Sequence, residues 1–434
     1  MMTNCTFEPL KDSGTLASRL ADIASRHRLS NVCIGLQISD RQMFAATDAA
    51  ACLRTSEAAQ SELIAAGCLA KPLTASLLAE AVAGGFVHWS QPVEQSLPLD
   101  EELRPRIAGV TVRQLLNHTH GLDGSAIKAV PKRCDGYLDL AALCQQLAAQ
   151  RVFAPGWFYS YSNVGAWLAG RLLEHIYAES FSRLLAHKLV CFLDAKGLPP
   201  CLQDVCPATG GKLALTLSQW LSFLALHLNA CATKNGHDRH KQYLAELRDA
   251  PVSLPGWNPL EQAACVGWKS YGDVWFGHHS NSPLGFSLLR FNPERQIAIV
   301  LAAPADRAIL ALAGIFGTSL PELVNLKPLR LLSEDECESL VTAPFEGVYA
   351  QSQMQLQVTV LSPAVLSVTT RCEESASATQ THIFRAARYG VFVPNPPGIP
   401  GVPFIQFIRD SRSESSDYLW NGVELLRKRQ PTAH

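Results

Sequence analysis

The chain places strand-like segments on both sides of a helical middle, and this order constrains the fold more than any other feature. Residues 31–38 and 41–46 are predicted to form a hairpin with a short Ser-Asp turn. Three successive strands are predicted over residues 267–303, and a helix at 306–316 follows them. Because the front and back strands enclose a run of helices, we expect an antiparallel sheet with helices on its faces, an α+β fold.

The helical middle opens with an apolar segment at residues 67–85. Apolar residues recur there every three or four positions until Gly84-Gly85 gives a stop signal, which predicts a buried helix beginning near Gly67. Further helices are predicted at 15–28, 111–117, 137–150, 163–178, 180–192 and 215–229.

The C-terminal part of the chain has a different character. Residues 321–344 form a Pro/Leu-rich connector, and strand-like runs dominate from Phe345 onward. These runs predict a small barrel or sandwich of about eight strands. We therefore expect a larger domain at 1–320, a connector at 321–344 and a small β domain at 345–434.

Composition excludes several classes of protein. Of 434 residues, 37 are Lys or Arg and 38 are Asp or Glu, so no excess of positive charge indicates nucleic-acid binding. No stretch approaches the roughly 20 apolar residues of a membrane helix, and we expect no membrane partner. The start of the sequence lacks a basic segment followed by an apolar one, so we expect a cytoplasmic location.

Cysteine and histidine do not indicate a metal centre. The 13 cysteines are scattered without a CxxC pair, as expected of buried thiols in a reducing compartment. His237 and His240 have helical spacing, but the sequence shows no third ligand at a suitable distance. We predict no metal and no cofactor.

Cys68 and Lys71 are the first candidate catalytic pair. They are three residues apart at the start of the buried helix, so both should face one side. A helix N-terminus favours a thiolate, and burial lowers the pKa of a lysine, which makes it a plausible proton acceptor. Alone, the pattern is also compatible with a core cysteine beside a surface lysine.

Two further groups carry candidate chemistry. Tyr161, Ser162 and Asn163 lie where a loop meets a helix, and a tyrosine hydroxyl near an ammonium group can transfer protons. An ordinary helix cap at Ser162 or Asn163 is the simpler explanation. His278 and His279 end a strand, and strand alternation aims their rings at opposite faces of the sheet.

Taken together in order, five segments resemble the serine β-lactamase/penicillin-binding-protein superfamily, in its branch of class C β-lactamases, esterases and acyltransferases. The resemblance spans about residues 15–316, and the tail that begins APFEGVYA resembles an appended lipocalin-like domain. The segments are GCLAKPLTASLLAEAVAGGFVHWSQPVEQSLP, TVRQLLNHTHGLDG, PGWFYSYSN, a GG-x-x-x-T-L-S-Q-W stretch and FGHHSNSPLGF.

The resemblance implies three motifs. Cys68 and Lys71 match a nucleophile-x-x-lysine motif in which the family nucleophile is serine, and Tyr161 with Asn163 matches Tyr-x-Asn. The third motif, Lys/His-x-Gly on an edge strand, lacks its glycine here. Counting from Gly285-Phe286 favours His279 as the motif histidine, and counting from Phe276-Gly277 favours His278; His279 is preferred.

The cysteine has three explanations: a native nucleophile, a replacement of a natural serine, or the mark of an inactive homologue. A native thiol, with a reference pKa of about 8.5, depends less on a strong base than a hydroxyl does. It suits attack on a thioester of an acyl carrier protein or coenzyme A, followed by transfer to an amine, alcohol or carbon acceptor in natural-product biosynthesis.

In this prediction Cys68 attacks, Lys71 and Tyr161 move the proton, and Asn163 positions Lys71 and the acyl chain. His279 acts as a second base or electrostatic group, and His278 is the other candidate on the strand. Backbone N–H groups of Cys68 and around Ser282 stabilise the oxyanion. A hydrolase that sends the same acyl-enzyme to water, and a non-catalytic binding homologue, remain as alternatives.

Overall fold

The structure is a computed structural model. It describes residues 12–27, 30–50, 52–99, 101–124, 126, 147, 151–193, 205–232, 239–254, 261–272, 274–282, 285–304, 345–351, 354–372, 379–388, 390–395, 404–408, 418–421 and 425–429. The chain divides into two compact units. The first unit contains Met1–Glu80, Glu179–Asp249 and Trp268–Leu326, and the second contains Ala81–Ala178, Ala250–Gly267 and Lys327–His434.

The helices include those predicted at 15–28, 67–85, 111–117, 163–178, 180–192 and 215–229, and two short helices that the sequence did not predict. The helices are α1 (Ser13–His27), α2 (Ser56–Gln60), α3 (Ala70–Ala83), α4 (Arg104–Ile107), α5 (Val112–Leu116), α6 (Asn163–Tyr177), α7 (Phe181–Leu193) and α8 (Leu217–Ala232). Short 3₁₀ turns lie at Gly67–Leu69 and Val93–Gln95, and a longer one lies at Arg239–Arg248.

The strands lie in two groups, as the sequence indicated. The first group is β1 (Cys33–Ile38), β2 (Arg41–Ala46), β3 (Leu63–Ala65), β4 (Ala214–Thr216), β5 (Val252–Ser253), β6 (Ala263–Ala264), β7 (Lys269–Gly272), β8 (Trp275–Ser282), β9 (Gly285–Asn292) and β10 (Ile297–Ala303). The second group is β11 (Gly347–Ala350), β12 (Met354–Ser362), β13 (Val365–Cys372), β14 (Gln380–Arg388), β15 (Val391–Pro394), β16 (Ile405–Ile408), β17 (Tyr418–Trp420) and β18 (Leu425–Lys428).

An antiparallel sheet forms the centre of the first unit, with strand order β2-β1-β10-β9-β8-β7. One face packs on α1, where Leu16, Leu20 and Ala24 meet apolar side chains of the strands. The other face receives α8, which packs on β1, β9 and β10. The predicted front hairpin and back strands therefore join in one sheet that is covered on both faces.

The second unit contains α5, α6 and a closed barrel of β11 to β18. The barrel interior is filled by side chains such as Phe345, Phe392 and Phe407, two of which stack with ring centroids 4.3 Å apart. A second cluster joins the outside of the barrel to residues 152–159 of the same unit, through Phe158, Tyr159 and Trp420. The prediction of a small eight-stranded C-terminal β domain is confirmed as a barrel.

One predicted strand is divided in two in the structure. The segment VGWKSYGDVWFGHHS was predicted as a single strand, but β7 ends at Gly272 and β8 begins at Trp275. The two strands pair antiparallel, with a register shift between Ser270 and Gly272. The predicted helix at 306–316 and the connector at 321–344 lie outside the described residues, as does all of the predicted helix at 137–150 except residue 147. The domain boundaries at 320 and 344 therefore stay a prediction.

Within the described part of the chain, no helix combines the length and apolar character needed to cross a membrane. The cysteines whose side chains the structure describes, at positions 33, 52, 68, 206 and 265, are free thiols. The described part of the chain contains no cluster of three or more His, Cys, Asp or Glu side chains suited to a metal ion. The side chains of His237 and His240 lie outside the described set.

Candidate active site

Cys68 lies in a 3₁₀ turn directly before α3. Gly67 opens the turn with a backbone φ of +49°, a conformation that glycine adopts without a Cβ penalty. The N–H of Ala70 then bonds to the carbonyls of Gly67 and Cys68, and Pro72 follows near the start of α3, where a missing N–H costs little. The predicted buried helix near Gly67 is present, with Cys68 half-buried at its entrance.

Lys71 is fully buried, although it carries the longest polar side chain of α3. Its Nζ donates to the carbonyl oxygen of Ala208 at 2.6 Å, and its side chain also makes a hydrogen bond with that of Cys68. Burial lowers the pKa of Lys71, while the neighbouring Cys68 and Cys206 thiols act in the opposite direction. A lysine held toward its neutral form is a competent acceptor for a thiol proton.

The loop whose Ala208 carbonyl accepts the hydrogen bond of Lys71 packs against the turn that contains Cys68. Gly210 has a φ of +72°, and a Cβ there would lie 2.8 Å from the backbone nitrogen of Gly67. Thr74 of α3 donates to the carbonyl of Pro207 at 3.1 Å, and Gly210 N–H donates to the carbonyl of Cys206 at 2.8 Å. The loop therefore holds the Ala208 carbonyl over α3 and brings a second thiol, Cys206, into the electrostatic environment of Lys71.

Ser280 of β8 contacts the candidate nucleophile directly. The backbone N–H of Cys68 donates to Ser280 Oγ at 3.1 Å, and Ser280 is buried. A Cβ on Gly67 would overlap this hydroxyl, so the glycine is required by the close approach of β8 as well as by its φ angle. The N–H of Cys68, expected from the sequence to await a substrate oxyanion, is thus bonded within the protein in this structure.

Strand alternation on β8 favours His278 over the predicted His279 as the histidine turned toward Cys68. Residue 279 pairs with Leu288, a member of the cluster packed on α1, and its ring stacks near Phe286 on that same face. His278 lies on the opposite face, which it shares with Ser280. Because Ser280 contacts Cys68, the face of β8 that is turned toward Cys68 carries His278. His278 is buried, and its Nδ1 lies 2.8 Å from the carbonyl oxygen of His279.

The end of β8 defines the remaining strand candidate. Ser282 is its last residue and pairs with Gly285 of β9. The strand β7 pairs with β8 only as far as Gly277, so residues 278–282 follow that pairing on β8. The predicted oxyanion role of the backbone near Ser282 stays a prediction.

Tyr161 and Asn163 lie in the second unit, where the start of α6 positions them. Ser162 is the N-cap of α6 and accepts a bond from the N–H of Val164 at 3.1 Å, as the simpler explanation of this motif required. Asn163 is the first residue of the helix, and the ring of Tyr161 lies 4.5 Å from that of His118. A helix cap is therefore present, and it is compatible with a catalytic role of the two neighbours.

Sequence reasoning missed Ser280 and His118. The signal for Ser280 was that the third motif lacks its glycine: in His278-His279-Ser280, a serine side chain stands at the position where the motif has glycine. The signal for His118 was weaker: a histidine between Asn117 and Thr119 in a segment named only for its resemblance to the family.

Comparison with known proteins agrees with this architecture. A family model described as Beta-lactamase matches residues 53–198. No curated protein matches the chain. The fold is β-lactamase-like, with an eight-stranded barrel near the C-terminus.

Three solved structures are similar to the chain. SurE in a structure with D-Leu is 20% identical, with a TM-score of 0.70 over 96% of this chain and 99% of that one. The octameric penicillin-binding protein homologue from Pyrococcus abyssi is 17% identical, with a TM-score of 0.53 over 96% and 100%. A D-stereospecific amidohydrolase from Streptomyces sp. is 17% identical, with a TM-score of 0.53 over 71% and 99%. At these identities the similarity concerns the fold.

Proposed function

We propose that the protein is an acyltransferase that forms an acyl-enzyme on Cys68. The observation that carries the proposal is the pairing of a half-buried thiol with the fully buried Lys71 at the entrance of α3. Burial opposes a charge on Lys71, so the amine can take the thiol proton at lower pH than an exposed lysine. A nucleophile beside a base that is itself oriented by a third group is the usual arrangement for covalent catalysis, and the carbonyl of Ala208 orients this base.

In the acylation step, Sγ of Cys68 attacks the carbonyl carbon of a thioester while Lys71 accepts the thiol proton. The new carbon–sulfur bond forms as the bond to the donor sulfur breaks, and the departing thiolate receives the proton from Lys71 through Tyr161. Because one thioester replaces another, the step is close to balanced in energy. A thiol nucleophile therefore suits a donor carried on coenzyme A or an acyl carrier protein.

In the transfer step, an amine, alcohol or carbon acceptor attacks the acyl carbon and the Cys68 thiolate leaves. The acceptor loses its proton to Tyr161 or Lys71, which returns it to the thiolate. Asn163, one residue beyond the N-cap of α6, is proposed to orient the acyl chain and Lys71. His278 replaces His279 in the proposal as the electrostatic group on β8, because it shares a face with Ser280.

The acyl group is proposed to be a D-amino acid or a peptide that ends in one. Two of the similar structures support this choice, because one is SurE with D-Leu and the other is called a D-stereospecific amidohydrolase. The second of these names also favours the alternative function, hydrolysis of the same acyl-enzyme. Natural-product assembly is the setting we propose for a transferase with this donor chemistry.

The test is intact-mass spectrometry of the full chain with D-leucyl and L-leucyl thioesters of N-acetylcysteamine. The proposal expects an adduct of acyl mass that peptide mapping places on Cys68, that forms faster with the D-donor, and that is discharged faster by an added amine than by water. Rapid discharge to water alone supports the hydrolase instead. Absence of any adduct, with ligand binding retained in Cys68→Ala, supports a non-catalytic binding protein.

Two cysteine controls make the mapping specific. Cys52 is an exposed free thiol and reports non-specific acylation, and Cys206 is the second thiol near Lys71. Cys52→Ser and Cys206→Ser are expected to keep the adduct, whereas Cys68→Ala loses it. Cys68→Ser tests whether a serine in this turn works: efficient acylation of the serine variant would favour an enzyme whose natural nucleophile is serine.

A further inference from the structure

The segment that carries Tyr161 is held by a residue that no motif assigns, His118. It lies just beyond α5, whose C-cap is Asn117, and its backbone has a φ of +60°. The Asn117 side chain stabilises this turn by accepting from the N–H of Thr119 at 3.2 Å and from its hydroxyl at 2.7 Å. A left-handed backbone at a buried, non-glycine residue is strained, and such residues concentrate at functional sites.

His118 contacts the residues on both sides of Tyr161. Its carbonyl oxygen accepts from the N–H of Ser160 at 2.9 Å, and its ring Nδ1 accepts from the N–H of Ser162 at 3.2 Å. Because 160 and 162 are both tied to one residue, the backbone of the tyrosine between them is fixed at each end.

The imidazole also packs on the tyrosine itself. The ring centroids of His118 and Tyr161 are 4.5 Å apart with an angle of 36° between the planes. Since Nδ1 accepts a backbone proton, the ring is neutral with its hydrogen on Nε2. The side chain of His118 therefore supplies both a hydrogen-bond acceptor and an aromatic surface. An apolar aromatic residue in its place would supply the aromatic surface without the acceptor.

We propose that His118 is a positioning residue for Tyr161: its backbone and Nδ1 fix the 160–162 segment while its ring sets the orientation of the tyrosine ring. The inference rests on the proposed function, because it acts through the proton transfer assigned to Tyr161. Removal of either contribution displaces the phenol, and a displacement of about 1 Å can slow an enzymatic step by about 100-fold.

Two variants separate the contributions. His118→Asn keeps an acceptor near the position of Nδ1 and tolerates a positive φ, but it lacks the ring. His118→Phe keeps an aromatic ring and leaves the buried Ser162 N–H without its acceptor. The matched control is His120→Asn: His120 is also buried, and its Nδ1 accepts from Leu122 N–H at 3.0 Å rather than from the 160–162 segment.

The experiment measures the rate of Cys68 acylation, KM and the melting temperature of each variant in the wild-type and Tyr161→Phe backgrounds. We expect each His118 variant to lower the acylation rate about 10- to 100-fold with little change in KM, and to change it less than twofold when Tyr161 is already phenylalanine. Equal losses in both backgrounds, or an equal loss in His120→Asn, would overturn the inference in favour of a general packing role.

A second measurement is independent of catalysis. In protein labelled with ¹³C at the tyrosine ring, the Tyr161 resonance, assigned by Tyr161→Phe, is expected to shift in His118→Asn and to stay in place in His120→Asn. If the resonance shifts while the wild type forms no Cys68 adduct, the proposed function fails and the positioning contact stands. An unchanged resonance in both His118 variants removes the positioning role.

Discussion

The backbone N–H of Cys68 is bonded to the hydroxyl of Ser280, 212 residues later in the chain, at 3.1 Å. The backbone N–H of a nucleophilic residue can stabilise an oxyanion by donating a hydrogen bond to it. Here that N–H already donates to a side chain of the protein. In the proposed mechanism, the substrate carbonyl must therefore displace the Ser280 hydroxyl from this N–H or be stabilised by another donor. This one contact makes the chemistry of the turn depend on the rotamer of a strand residue.

Ser280→Ala is expected to speed acylation of Cys68. The change frees the N–H at a loss of one internal hydrogen bond worth about 1 kcal/mol, which corresponds to a gain of up to about fivefold in rate. Stopped-flow measurement of thiol release from the donor checks the rate. The control is Ser287→Ala, the buried partner of Ser280 on β9, which should leave the rate unchanged. Slower acylation in Ser280→Ala would instead make its hydroxyl a required donor.

Gly67→Ala is expected to destabilise the fold, and Ser280→Gly to rescue part of the loss. The added Cβ overlaps Ser280 Oγ, and the φ of +49° adds strain of about 1–3 kcal/mol that no change at 280 removes. Urea unfolding of the two single variants and the double variant measures the coupling, expected at about 0.5–3 kcal/mol. Strict additivity would show that the two residues do not meet in solution.

Lys71 should make stability depend on pH in the alkaline range. Burial lowers its pKa from 10.5, so between the lowered value and 10.5 the unfolded state binds more protons than the folded state, and stability rises with pH. The free energy of unfolding of the wild type, relative to Lys71→Met, should therefore increase across that window. Urea titrations at pH 7 and at about pH 10 test the sign, and a constant difference would contradict a lowered pKa. Cys68, Cys206 and Lys269 also act on this group, so the same titration is repeated with Cys206→Ser.

Ser160→Ala should weaken the attachment of the barrel to the segment that carries Tyr161. The hydroxyl of Ser160 accepts the buried N–H of Leu425 at 2.9 Å, and loss of this acceptor is expected to cost about 1–3 kcal/mol. Ser160→Thr keeps a hydroxyl and is the matched control in urea unfolding. Equal stability of the alanine and threonine variants would mean that Leu425 N–H finds another partner.

Local patterns predicted most of the fold, because the residues that determine it are neighbours in sequence. The hairpin of β1 and β2 and the helix α5 follow from adjacent residues. Which of His278 and His279 faces Cys68 does not, since it depends on the pairing of β8 with β9 and on the approach of β8 to Gly67. The pairing of Cys68 with Lys71 was accessible from helical spacing, whereas the acceptor on Ala208 lies 137 residues away from Lys71.

The cluster that joins Phe158 and Trp420 has a consequence for how such a chain can change over generations. A C-terminal domain attached only by a linker can be lost or exchanged, because its removal exposes no buried apolar surface. Here removal of the barrel would take away the Trp420 ring that packs on Phe158 and the Leu425 N–H that donates to Ser160. A descendant lacking the barrel would need simultaneous substitutions at 157–160, so the two parts are expected to be inherited together.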